Sequence, residues 1–278
     1  NLNNLKNGLI SAAIKDMVTK KFRYFTADFE TTVYKGQTYT EVWAAACVEL
    51  FTEDVRIFHS LPELFDYLVS LKQHICIYFH NLKFDGSFWL DFLINKKKYK
   101  QAYEILDEEK YDNGQPKHVK FLAEKDMQNK SFKYSISDRG QWYSVIIKVN
   151  GHYIEIRDSL KLLPFSVKRI GESFGTKHKK LEMEYKGFRY AGCEITDKEK
   201  KYIANDVLVV KEALEIMFTE GHDKLTIGSC CLSEFKKTYG LFKEDYIRDF
   251  PNLYDLEIDK ELYGYTSAGE FILKSYRG

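Results

Sequence analysis

The sequence contains no apolar run long enough to cross a bilayer, which excludes an integral membrane helix. It also lacks an excess of either charge: 42 Lys and Arg stand against 41 Asp and Glu, a formal net charge of +1. No global basic field advertises nucleic-acid binding, so any such binding must come from local patches. The five cysteines are odd in number and nowhere spaced as C-x-x-C. That argues against a zinc ribbon or a disulfide scaffold and fits a reducing, cytoplasmic setting. Only four prolines and sixteen glycines occur, with no low-complexity signature. The opening NLNNLKNGLISAAIKDMV is too polar for a signal peptide. Several chemical signatures are missing as well. GESFGTK at 171–177 does not have P-loop spacing, and there is no G-x-S-x-G, H-E-x-x-H or dinucleotide fingerprint.

With 44% apolar and 15% aromatic residues, the 278-residue chain can bury a substantial core. Residues 1–20 have the spacing of an amphipathic N-terminal helix (Leu5, Leu9, Ala12, Ala13, Val18). KFRYFTADFE, TEVWAAACVEL and DVRIFH read as three strands of a meander. Ser60 N-caps a helix running to Leu71, with Pro62 in its first turn. HICIYF is a short buried strand, HNLKFDG a loop, and SFWLDFLI a helix. From about 96 to 130 the text becomes charged and turn-rich, as in a surface insertion. WYSVIIKV and HYIEIRD flank Asn150-Gly151, a strong hairpin signal. Residues 164–174 look helical, opened by Pro164, and KHKKLEMEYKG reads as a loop. Thr196 with Glu199 forms a capping box for a helix ending near Phe218. Residues 220–278 read as short helices and turns. The order predicts an α/β fold, a mixed central sheet flanked by helices.

Within this map, acids stand where acids are costly. Asp28 and Glu30 share one face of the first strand, because residues i and i+2 point the same way. Two like charges on a buried face repel and lose hydration, so something must compensate, and a divalent cation is the obvious candidate. Asp85 follows a second strand in Asn81-Leu82-Lys83-Phe84-Asp85, where α/β folds expose ligands. Tyr202 and Asp206 lie four apart on one face of the capped helix. Each motif alone has a plain reading: a chance D-x-E, an Asx-capped turn, a packing Tyr beside a solvated acid. Their joint occurrence in this order favours one shared metal site.

The three motifs, together with HNLKFDG, RGQWY, DSLKLLPF and the 22-residue spacing from Lys180 to Tyr202, resemble the 3′–5′ proofreading exonuclease domain of protein-primed family B DNA polymerases. The resemblance implies an RNase H-like exonuclease fold over residues 21–219 and a small connector, 220–278, leading toward a polymerase domain; polymerase motifs are not found in this sequence. It further implies two Mg²⁺ or Mn²⁺ ions held by Asp28, Glu30, Asp85 and Asp206, with Tyr202 orienting the attacking water and Lys180 stabilising the reacting phosphate. Thr31, Asn81, Phe84, Ser159 and Leu160 resemble family contacts to the single-stranded DNA 3′ end. The implied partners are that strand, the polymerase domain and a priming terminal protein, with no membrane. For Lys180 a solvated cation in KHKK is the competing reading; for Phe84 and Leu160 it is core packing. His80 reads as structural. Two other functions fit the same residues: a DNA- or terminal-protein-binding module with little turnover, and a stand-alone RNA-trimming exonuclease.

Overall fold

The structure, a computed structural model, describes residues 22–32, 34, 36–183, 188–238 and 247–276. The helix expected over 1–20 lies outside the described residues. An eight-stranded mixed sheet forms the centre. Its strands are β1 (Phe22–Thr31), β2 (Val42–Glu49), β3 (Arg56–Phe58), β4 (His74–Phe79), β5 (Lys100–Gln101), β8 (Ser131–Ile136), β9 (Trp142–Val149) and β10 (His152–Asp158). They lie in the order β3-β2-β1-β4-β10-β9-β8-β5, and a separate ribbon pairs β6 (Tyr103–Ile105) with β7 (Val119–Phe121). The expected meander β1-β2-β3 is antiparallel, while β1, β4 and β10 run parallel. Helices cover both faces, which gives the RNase H-like arrangement expected from the sequence.

Alternation along β1 assigns the faces. Phe25, Ala27 and Phe29 enter the larger core with helices α1 (Leu61–Ser70) and α2 (Leu82–Asp91). Thr26 faces the other way, toward the long helix α4 (Asp197–Thr219), and its Oγ1 donates to the Val207 carbonyl at 3.0 Å. Ile203, Val207 and Leu208 of α4 pack on Trp43, Ala44, Ala46 and Val48 of β2. Helix α1 is capped by Ser60 and α4 by the Thr196–Glu199 box, both as the residues predicted. The turn between β9 and β10 places Asn150 at φ 50° and Gly151 at φ 79°, the geometry that Asn-Gly favours.

Three expectations need correction. Residues 80–86 are not a loop, because α2 begins at Leu82 and carries Asp85 in its first turn. Asn81 adopts φ 68° and gives α2 no side-chain cap; the missing acceptor comes from Asp158, described below. Gly86 of this segment is required by packing, since a Cβ there would lie 2.4 Å from the Trp142 ring. The second correction concerns 164–174: helix α3 spans Val167–Ser173, and Ser166, not Pro164, accepts the N-terminal amide. The third concerns 96–130, which is not wholly a surface excursion. Lys100–Gln101 pairs with Ser131–Phe132, and Ala102 and Met127 are buried with Ile146 and Tyr153.

The chain divides into two compact units between Leu225 and Thr226. The second contains α5 (Ile227–Thr238), α6 (Lys260–Tyr263) and α7 (Ala268–Tyr276). Asp259 caps α6, and the Tyr254 ring packs so closely on Gly269 that a Cβ would meet it at 2.7 Å. Among the described residues, no helix is long and apolar enough to cross a membrane.

Candidate metal centre

β1 brings Asp28 and Glu30 to the face that carries Thr26, and the Thr26–Val207 bond fixes α4 one residue beyond Asp206. Asp28 pairs in register with Ala46, and Glu30 with Ala44. Methyl side chains on the neighbouring strand let the helix come close. One carboxylate oxygen each from Asp28, Glu30 and Asp206 lies within 4.8 Å of the others. Two distant parts of the sequence thus meet in one acidic triplet.

The electrostatics record the strain of that meeting. Burial pushes the Asp28 carboxyl well above its ordinary value; Asp85, Glu30 and Asp206 push it further, and Lys180 opposes them. Asp85 is not part of the triplet, although its charge is felt at Asp28. Its own carboxyl is pushed up to about 8, first by burial and then, against one backbone hydrogen bond, by Glu30 and Asp158. Burial also raises Asp206, with Lys180 pulling the other way. Oδ1 of Asp85 and Oδ1 of Asp206 are buried without a hydrogen-bond partner. Such orphaned acceptors cost free energy unless something fills the gap. A hard divalent cation such as Mg²⁺ or Mn²⁺ suits an all-oxygen donor set, so the residues present fit the implied group.

Lys180 Nζ donates to Asp206 Oδ2 at 2.6 Å and stands 5.4 Å from the centroid of the Tyr202 ring. Burial lowers the Lys180 pKa, but the Asp206 contact outweighs it and the net shift is upward. Tyr202 is raised by burial first and by Asp206 next. Asp28, Lys180 and Asp206 line a cavity of about 200 Å³ together with His80, Val167 and Val210. His80 is held at both ring nitrogens, by Ser159 Oγ at 3.0 Å and the Phe165 carbonyl at 2.7 Å. It is therefore a structural residue that also forms a wall of the site.

The remaining candidates differ in access. Thr31 is half-buried just past a bulge in β1, and Asn81 is exposed at the start of α2. Phe84 is 50% exposed, with its ring 5.5 Å from that of Phe88. Leu160 is half-buried in the 3₁₀ turn Ser159–Lys161. Ser159 is fully buried, and its hydroxyl donates to the Phe79 carbonyl at 3.1 Å. Sequence reasoning missed Asp158. Its Oδ1 accepts backbone amides from Asn81 (3.1 Å), Leu82 (3.2 Å) and Leu160 (3.0 Å), joining the start of α2 to the turn after β10. The available signal was an acid at a strand end that opens the segment DSLKLLPF.

Comparison with known proteins finds similarity to DNA polymerases. Residues 69–194 match the family model described as DNA polymerase type B, organellar and viral. The DNA polymerase of Bacillus phage Nf is 34% identical over 263 residues, covering 92% of this chain and 39% of the relative. That of Bacillus phage phi29 is 33% identical over 254 residues, covering 88% and 39%. Among solved structures, phi29 DNA polymerase complexed with single-stranded DNA aligns with a TM-score of 0.66 at 28% identity, covering 88% of this chain and 38% of that one. Its complex with primer-template DNA and incoming nucleotides aligns with a TM-score of 0.65. The chain spans about two-fifths of the length of the curated relatives it matches.

Proposed function

Since the chain belongs to the type B DNA polymerases of organellar and viral kind, we propose that it carries the metal-dependent 3′–5′ exonuclease of a protein-primed polymerase, hydrolysing single-stranded DNA 3′ ends to mononucleotides. The observation that carries the reading is the triplet Asp28, Glu30 and Asp206, its oxygens within 4.8 Å, with orphaned buried oxygens on Asp206 and Asp85. These four carboxylates would hold two Mg²⁺ or Mn²⁺ ions. When bound, such ions supply a nucleophilic water at neutral pH and neutralise charge on the phosphate and the leaving oxygen.

The chain's own residues do the rest. Tyr202, beside Asp206 on one helix face, directs its hydroxyl at the attacking water. The Lys180 ammonium adds positive charge where the phosphate becomes more anionic, an interaction stronger in the transition state than in the ground state. Phe84 offers an exposed ring to a terminal base, and stacking of this kind tolerates any sequence. Thr31, Asn81 and Leu160 flank the same strand, and Ser159 acts through the turn it builds. In this reading 220–278 is the connector to a polymerase domain, a priming terminal protein is the second partner, and the setting is cytoplasmic.

The test is incubation with a 3′-labelled oligonucleotide and Mn²⁺. Mononucleotide release that disappears in the Asp28→Ala, Glu30→Ala double variant supports the enzyme. Binding without release, from properly folded protein, would instead make the chain a DNA-binding module. Faster trimming of ribo- than deoxyribo-oligonucleotides would redirect the assignment to RNA. Tyr202→Phe is expected to slow hydrolysis while metal affinity stays nearly constant.

A further inference from the structure

Lys180 lies in a segment without regular secondary structure, yet its ammonium meets Asp206 at 2.6 Å. A lysine has four rotatable bonds and loses considerable entropy when held in one place. The residues preceding it explain how the backbone end is fixed. Thr176 Oγ1 donates to the His178 carbonyl at 2.7 Å. The His178 backbone amide donates to Glu212 Oε2 at 3.2 Å, and its ring Nδ1 lies 2.5 Å from Glu212 Oε1. Lys179 Nζ donates to the Gly171 carbonyl at 2.6 Å, and Asn205 Nδ2 donates to the Lys179 carbonyl at 3.1 Å.

Asn205 and Glu212 both belong to α4 and lie seven residues apart, two turns along one face. The helix that carries Asp206 therefore also grips the segment that carries Lys180. Glu212 is six residues beyond Asp206, about 9 Å along the axis, too far to touch the reacting atoms itself. We propose that Glu212 and Asn205 are positioning residues: they lock 178–180 onto α4 and thereby hold the Lys180 ammonium on Asp206. The catalytic consequence rests on the nuclease reading above; the clamp itself does not.

Crossing Glu212→Ala and Asn205→Ala with Lys180→Ala tests the claim. Each single clamp variant is expected to lower kcat by about tenfold, since a misplacement of 1 Å can cost more than that. KM should stay within about twofold, because the group acts mainly in the transition state. With Lys180 already replaced, adding either clamp variant should change kcat by less than about twofold. Glu212→Gln, which keeps an acceptor for the His178 amide, should recover part of the loss. An undiminished effect of Glu212→Ala without Lys180 overturns the proposal.

A second measurement is independent of hydrolysis. Metal-free protein is treated with an acetylating N-hydroxysuccinimide ester, and modification is read at Lys180 and at exposed Lys72 by peptide mass spectrometry. Glu212→Ala and Asn205→Ala should speed modification of Lys180 several-fold and leave Lys72 unchanged. Equal rates at Lys180 in wild type and variants overturn the clamp. Faster labelling in the variants, combined with a wild-type protein that degrades no DNA, keeps the clamp and sinks the nuclease reading. Should Glu212→Ala fail to fold, Asn205→Ala, which removes one partly exposed hydrogen bond, carries the test.

Discussion

Helices α2 and α4 each carry one of the candidate aspartates, Asp85 and Asp206, and their N-termini are built in opposite ways. Helix α4 is capped by its own neighbours, with Thr196 and Glu199 satisfying each other's backbone amides across three residues. Helix α2 begins at an uncapped Asn81 in left-handed conformation and takes its acceptor from Asp158, on another strand. The first start is local and its cost is settled within a turn. The second holds only once β4 and β10 have paired, so the placing of Asp85 depends on tertiary structure.

Asp158→Ala should strike that dependence hardest. Three amides lose one acceptor; at roughly 1–3 kcal/mol for the buried Leu82 amide and less for the part-buried Asn81 and Leu160 amides, the expected loss is about 2–4 kcal/mol in urea unfolding. Hydrolysis should fall with it, and Asp158→Asn, which keeps a carbonyl oxygen, should recover much of both. An unchanged midpoint would break the contrast between the two helices.

Titration separates their first-turn acids, Asp85 and Glu199, by sign. Asp85 has a folded pKa of about 8 against an ordinary 3.8, so it binds its proton more tightly when folded. Its contribution to metal-free protein is complete below about 4 and is lost as pH rises through 8. Glu199 is lowered despite burial, because Arg189 and Thr196 hold its charged form. Its contribution is present above the usual glutamate pKa and is lost as pH falls through the depressed value. Thermal midpoints in EDTA should therefore decline from pH 5 to pH 8 by on the order of 5 °C. Asp85→Asn should lessen that decline, to which the raised Asp28 and Asp206 also contribute, and Glu199→Gln should flatten only the acid limb.

Smaller effects refine the picture. Gly86→Ala forces a methyl against Trp142 and should cost about 1–3 kcal/mol by overpacking, partly relieved by Trp142→Phe. Thr196→Ala should cost only about 1 kcal/mol, the usual value of an N-cap, with little change in hydrolysis. A larger loss there would mean that α4 is no more self-sufficient than α2.

The same contrast explains what could be read in advance. The acids Asp28 and Glu30, the Ser60 cap, the Thr196–Glu199 box and the Asn150-Gly151 turn are written in residues that lie close together in the chain. The start of α2 is not, because its acceptor lies 76 residues away at Asp158. Strand β8, SFKYSI, escaped notice because its polar alternation resembles the charged text before it, and only pairing with β9 makes it a strand. Ala102 and Met127, within the charged 96–130 text, are core for the same reason. Pro164 drew attention away from Ser166, two residues later, which caps α3. His80 is structural by its two hydrogen bonds, and it walls the cavity only because the Ser159 turn and Phe165, 79 and 85 residues away, hold its ring there.

Ala44 and Ala46 stand directly beside the paired acids and under α4, and their smallness sets a clearance. They work as shims: exchanging a methyl for an isopropyl group would prise the helix from the strand and widen the gap that Asp206 must bridge, with every acid still in place. Under the nuclease reading proposed above, hydrolysis would weaken as that spacing widens, while Phe84 and the rest of α2 keep their places.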